Sequence, residues 1–166
     1  MTIELGNFEG KTHSKDLRFT RVFKAPRQKV FEAFTKREHL VHWWAPKPFT
    51  MPRCEVDLRP GGKWNYLFRS QEGVEHDCQA IYREVEPPSK FVMESSVPDS
   101  QGKPLFTIRQ TILLEDKGAE TGLVLEVKVL LVNPGGEPFL EGAKQGFGMT
   151  LTNLDEYLGR IGEETA

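Results

Sequence analysis

Cysteine is scarce in this sequence. Only Cys54 and Cys78 occur, and they form no Cys-x-x-Cys pair, which excludes a disulfide scaffold and suits two reduced, partly buried thiols. Long apolar runs are missing as well. The most apolar stretch, Leu123 to Val132, is ten residues long and carries Glu126 and Lys128, so it is too short to span a bilayer and reads as a strand. The opening residues Met1 to Gly6 lack a basic segment followed by an apolar run, so no secretory signal is expected. An excess of one charge sign is also absent: 22 Lys+Arg against 24 Asp+Glu leaves a net charge of -2. That balance argues against a dedicated nucleic-acid binder, which needs a basic face. What remains is a 166-residue chain, 38% hydrophobic and 28% charged, sized for one globular domain and unlike a disordered chain, a fibre or a coiled coil. A cytoplasmic protein with no membrane span is the expectation.

Residues 1–16 show no periodicity and read as an N-terminal arm, leaving 17–162 as a single domain. Leu17 to Lys24 alternates as a strand, with Leu17, Phe19, Arg21 and Phe23 on one face. Pro26 suits the first turn of a short helix carrying Val30, Phe31 and Phe34. A second short helix over Arg37–Trp44 presents Leu40, Trp43 and Trp44, after which Pro46, Pro48 and Pro52 are expected to exclude regular structure. Strands are then expected over 55–59, 63–69, 76–85, 91–97, 105–115 and 122–132, separated by Gly- and Pro-rich turns. Short turns between consecutive strands imply an antiparallel sheet.

After Asn133-Pro134-Gly135-Gly136 the spacing becomes helical. Leu140, Ala143, Phe147, Leu151, Leu154 and Leu158 lie on one side, with Glu141, Lys144, Gln145, Asn153, Glu156 and Arg160 on the rest. The helix should run about 22 residues, with Gly146 and Gly148 each costing about 1 kcal/mol relative to Ala. Burying both apolar stripes lays this helix across one concave face of the sheet, and a curved sheet under a single helix leaves room for an apolar pocket.

Several motifs carry a family resemblance: Thr20-Arg21-Val22-Phe23-Lys24-Ala25-Pro26, Val30-Phe31-Glu32-Ala33-Phe34-Thr35, Glu38-His39-Leu40 with Trp43-Trp44-Ala45-Pro46, Asp57-Leu58-Arg59-Pro60-Gly61-Gly62-Lys63-Trp64, Glu84-Val85-Glu86-Pro87-Pro88, and Leu151 to Leu158. In order and spacing the chain resembles the activator-of-heat-shock-protein-90-ATPase-homologue-like family, in its small single-domain bacterial form. That family sits within the START and birch-pollen-allergen-like helix-grip (SRPBCC) superfamily. The resemblance implies an α+β helix-grip fold: a curved antiparallel sheet of about six to seven strands wrapped on a long C-terminal helix, with two short helices after the first strand. It departs from the family at Phe34 and Phe147, where Trp is usual, and at Ala45, where Gly is usual. These are size changes that alter the volume of any cavity. The eukaryotic co-chaperone that names the family has a further N-terminal domain with no counterpart in these residues.

Candidate sites were weighed against plain structural roles. Gly10-Lys11-Thr12 lacks the first Gly of a phosphate loop, since Leu5 stands there. His39 and His42 share a helix face, but two ligands make no metal site, so no metal and no cofactor is expected. No serine lies in a Gly-x-Ser-x-Gly elbow and no carboxylate pair stands out, so no catalytic residue is assigned. Glu84, Glu94 and Glu126 are expected on a solvated sheet face. Of the adjacent Trp43 and Trp44, about 100° apart on a helix, at most one can face inward. Arg21, His76 and Gln110 interrupt apolar faces; each either finds a protein partner or orients a ligand.

These readings make the candidate cavity lining Arg21, Phe23, Trp43, Trp44, Trp64, Tyr66, His76 and Gln110 from strands and short helices, with Ala143, Phe147 and Leu151 from the long helix. The expected function is binding of a small hydrophobic or amphipathic molecule between sheet and helix, by a monomer or homodimer. The alternatives are a cyclase- or hydrolase-type enzyme using the same cavity, with His76 the first residue to test, and a chaperone-associated interaction module of the stress response.

Overall fold

The computed structural model describes residues 17–99 and 101–165. The expected N-terminal arm over 1–16 and the Gly10-Lys11-Thr12 segment lie outside the described residues. The chain runs β1 (Leu17–Phe23), α1 (Arg27–Thr35), α2 (Arg37–Trp43), β2 (Thr50–Val56), β3 (Lys63–Arg69), β4 (Glu75–Glu86), β5 (Lys90–Pro98), β6 (Pro104–Lys117), β7 (Glu120–Val132) and α3 (Glu137–Thr165). Seven strands form one antiparallel sheet in the order β1-β7-β6-β5-β4-β3-β2. β2 to β7 follow one another as hairpins, and β1 returns to pair with β7. The architecture is the α+β helix grip expected from the sequence.

Period-two alternation decides which side of the sheet is core. Trp64 and Tyr66, Cys78, Ala80 and Tyr82, Phe91 and Met93, Ile108 and Ile112, and Leu123, Leu125 and Val127 all point inward and are buried. Register shifts at Tyr82/Glu84 and Thr107/Ile108 interrupt the ladders of the long strands, the kind of bulge that bends a sheet. α3 lies over the inner face, with the ring of Phe147 6.0 Å from Phe19 of β1. α1 and α2 plug one end: Phe31 and Phe34 stand 6.0 and 5.9 Å from Phe91. No helix among the described residues is long and apolar enough to cross a membrane.

Three expectations need correction. Regular structure was not expected near Pro52, yet β2 runs through it from Thr50 to Val56. β2 is an edge strand and its register shifts between Thr50 and Arg53, so the missing N–H of Pro52 breaks no ladder. Residues 57–59, expected to continue that strand, instead form a loop stitched to β4 by Gly61 N–H to the Tyr82 carbonyl (2.7 Å) and Tyr82 N–H to the Gly62 carbonyl (2.9 Å). Finally, α3 spans 29 residues, and Lys144 and Asn153, placed on the solvated side by spacing, are only 2% and 8% exposed. The segment after α2 covers the flank that carries Asn153, whereas Lys144 lies half a turn away, at the edge of the apolar stripe beside Leu140 and Leu151. Burial pulls the Lys144 ammonium down to about 8, partly offset by Glu141.

Two glycines give opposite predictions. A Cβ on Gly62 would stand 2.0 Å from the Asp57 carbonyl oxygen, a backbone atom. A Cβ on Gly148, inside α3, would meet nothing within 4 Å. Gly62→Ala should therefore lower the melting temperature, whereas Gly148→Ala should raise stability by about 1 kcal/mol through helix propensity. The latter corresponds to roughly 2–4 °C in a chain of this size.

Candidate functional site

Between the inner face of β3–β6 and one flank of α3 lies a cavity of about 520 Å³, bordered on a third side by the segment linking α2 to β2. Its shape follows from unequal side chains on α3. Gly142, Ala143 and Gly146 border the cavity with little or no side chain, Gly146 beside Pro46, while Phe147 next to them reaches Phe19 of the sheet. The cavity opens beside Phe139 and Met149, which are 45% and 44% exposed.

Seven aromatic residues stand in the wall. Trp44 stands 4.8 Å from Trp64 and 6.3 Å from Tyr66, Tyr66 is 5.2 Å from Phe68, and Phe49 lies 6.1 Å from both Phe68 and His76. Phe106 and Phe147 add two more rings. Two acidic groups in the wall are held protonated: desolvation pushes the Cys78 thiol up to about 12, and burial raises the Tyr66 phenol well above its usual range. The buried polar residues of the lining are Gln110, Ser95 and Thr150, with Ser95 Oγ–H donating to Gln110 Oε1 at 2.5 Å. At the rim, Lys47 pairs with Glu156 at 3.3 Å, both largely in solvent. A second concavity, about 390 Å³ at the β2–β3 turn, is walled by charged and polar residues, among them Arg59 paired with Asp57 at 2.9 Å.

Of the eleven residues expected in the lining, the structure brings Trp44, Tyr66, His76, Gln110, Ala143 and Phe147 together around the cavity. The other five lie elsewhere. Arg21 sits on edge strand β1, two strands away from β6, and its guanidinium donates to the Thr20 carbonyl. Phe23 and Leu151 are packed in the core. Trp43 is buried with its indole N–H on the Ala33 carbonyl at 2.9 Å, so of the adjacent pair only Trp44 reaches the cavity. Trp64 stands behind Trp44 and donates its indole N–H to Cys54 Sγ. His39 and His42, weighed as a metal pair, both turn to Tyr157 of α3. His39 Nδ1 is 2.6 Å from its hydroxyl, and His42 stacks on its ring at 5.6 Å.

The residue that spacing missed is Asn153. A short helix such as α2 ends with carbonyls that have no helical partner. Asn153 Nδ2 donates to two carbonyls there, Trp43 and Ala45, each at 3.3 Å. Thr150 Oγ donates to Gly146 O at 2.8 Å and lies 3.4 Å from the Trp44 carbonyl. α3 thus grips the backbone that carries Trp44 to the cavity. The available signal was the run 146, 150, 153, 157, which continues a helical stripe through polar residues.

The family model for "Activator of Hsp90 ATPase homolog 1-like protein" matches residues 24–159. The chain belongs to that family. Among solved structures, a protein from Nitrosomonas europaea is similar at 27% identity and a TM-score of 0.73, covering 89% of this chain and 96% of its own. A protein from Rhizobium leguminosarum is similar at 24% identity and a TM-score of 0.77 (88% and 95% covered), and the AHSA1 protein from Silicibacter pomeroyi at 20% and 0.74 (89% and 99%). The latter two share the fold. No curated protein matches the chain. Of the three positions where this family member departs from the usual residue, only Phe147 borders the cavity. Phe34 packs edge-on against Trp43 at 4.9 Å, and Ala45 offers its carbonyl to Asn153.

Replacing Asn153 by Ala leaves the Trp43 and Ala45 carbonyls without that donor. The expected loss is about 1–3 kcal/mol, read as a lower denaturant midpoint at unchanged slope. An unchanged midpoint would show that the α2–α3 grip carries no stability.

Proposed function

We propose that this single helix-grip domain, residues 17–162, binds a small neutral apolar or amphipathic molecule in the cavity between the sheet and α3, as a cytoplasmic protein. The observation that carries the reading is the cavity itself: about 520 Å³, walled mainly by apolar residues, seven of them aromatic, with the Ser95–Gln110 pair buried on its sheet side. Small-molecule sites have this character, with volumes of about 300–1,000 Å³, apolar walls and a few placed polar groups. The exposed Phe139 and Met149 beside the opening add apolar surface on the path of entry. The thiol in the wall, Cys78, is held protonated by burial, which disfavours a nucleophilic role for it.

The test uses the neutral fluorescent probe N-phenyl-1-naphthylamine and two variants that fill the cavity from α3. Ala143 borders it, and at Gly142 an added Cβ would meet nothing within 4 Å. Wild type should show saturable binding. Ala143→Trp and Gly142→Leu should each weaken it roughly tenfold or more, a loss of about 1.4 kcal/mol or greater, while the melting temperature holds or rises. Variants that bind as wild type would overturn the reading.

A further inference from the structure

The polar part of the cavity wall is built to donate. β6 places Gln110 on the inner face between Ile108 and Ile112, and β5 places Ser95 on the same face. In the register that pairs Met93 with Gln110 and Ser95 with Ile108, the two side chains are diagonal neighbours. They are 2% and 7% exposed. The Ser95 hydroxyl donates to Gln110 Oε1, which uses the acceptor of the carboxamide and holds its plane. The two N–H donors on Nε2 remain. No hydrogen bond from them to a protein group occurs among the described residues, and they are not sealed away from the cavity that Gln110 borders. A donor in a desolvated site is costly until it meets an acceptor, so an occupant that supplies one gains affinity.

Two further features narrow the occupant. Seven aromatic side chains and the His76 ring stand in the wall, and their faces and edges suit a flat, ring-containing molecule. The formally charged side chain in the lining is Lys47, at the rim and paired with Glu156, so the interior offers a charged ligand no counter-ion. From this we propose that Gln110, held by Ser95, determines specificity. It selects neutral, flat, ring-containing molecules that carry a carbonyl or equivalent oxygen acceptor over hydrocarbons of the same shape. This inference rests on the cavity-binding reading above and adds the chemical class of the ligand.

The matched probes are 9-fluorenone and fluorene, which share a tricyclic frame and differ in a carbonyl against a methylene. Their affinities are read by displacement of N-phenyl-1-naphthylamine. Wild type should prefer fluorenone roughly tenfold, the worth of about one neutral hydrogen bond. Gln110→Met should abolish the preference by weakening fluorenone and leaving fluorene unchanged. Ser95→Ala keeps the amide but frees it, so the preference should shrink; this smaller change decides the matter if Gln110→Met does not fold. Equal affinities in wild type, or an undiminished preference in the variants, would overturn the proposal while leaving the cavity reading in place. If neither probe displaces bound N-phenyl-1-naphthylamine from wild type, this inference falls and the cavity reading stands on the filling variants; if N-phenyl-1-naphthylamine itself does not bind, both fall together.

Discussion

The structure turns on a mismatch of side-chain size along one helix. Protein interiors close to near-crystalline density where they can. Here Phe147 of α3 meets Phe19, while Leu151, Leu154 and Leu158 are buried in the core. These contacts set the distance between helix and sheet. On the neighbouring flank, Gly142, Ala143 and Gly146 border the cavity with little or no side chain to fill it, Gly146 beside Pro46, and the helix cannot move closer to the sheet without displacing the larger groups. A void therefore persists beside these small residues. Asn153 and Thr150 fix its third wall by holding the backbone around Trp44.

The same arrangement sorts charge. Inside, burial holds the Cys78 thiol and the Tyr66 phenol in their protonated forms. Outside, the sheet carries cross-strand ion pairs. Glu94 receives Arg83 and Arg109 at 3.1 and 3.0 Å; burial pushes its carboxyl up, but hydrogen bonds from Arg109 and Arg83 hold it below the usual value. Glu126 with Arg18 (3.7 Å) and Glu84 with Lys90 (3.0 Å) also occupy that solvated face, as alternation predicted. Exposed pairs of this kind contribute little each. Their effect is to leave the inner face, with its rings and its one amide, as the chemically distinctive surface.

Much of this was legible in the residues because it is periodic. Alternation located most of the strands, three- and four-residue spacing located α3, and the polar interruptions at His76 and Gln110 fell on the face that borders the cavity. What spacing could not supply was position across the sheet. Arg21 alternates with Phe19 and Phe23 as a cavity residue would, but β1 pairs with β7 and stands far from β3–β6. Trp64 and Leu151 likewise share the inner face with the lining and sit behind or beyond it. Periodicity also sees one contact face at a time. Asn153 looked solvated because the pattern registers helix against sheet and has no term for the segment after α2. Pro52 misled for a related reason: a local rule against proline applies to paired strand edges, and the position of β2 at the sheet margin appears only in the topology.

The central claim is that a neutral flat molecule occupies the space between α3 and the sheet. The most direct measurement is a titration of isotope-labelled protein with N-phenyl-1-naphthylamine followed by amide and indole NMR shifts. The account predicts movements at the Trp44 indole N–H, the Gln110 side-chain amide and the backbone amides of Gly142 and Gly146. Shifts confined to the outer face around Glu94 and Arg109, or no shifts at all, would contradict it.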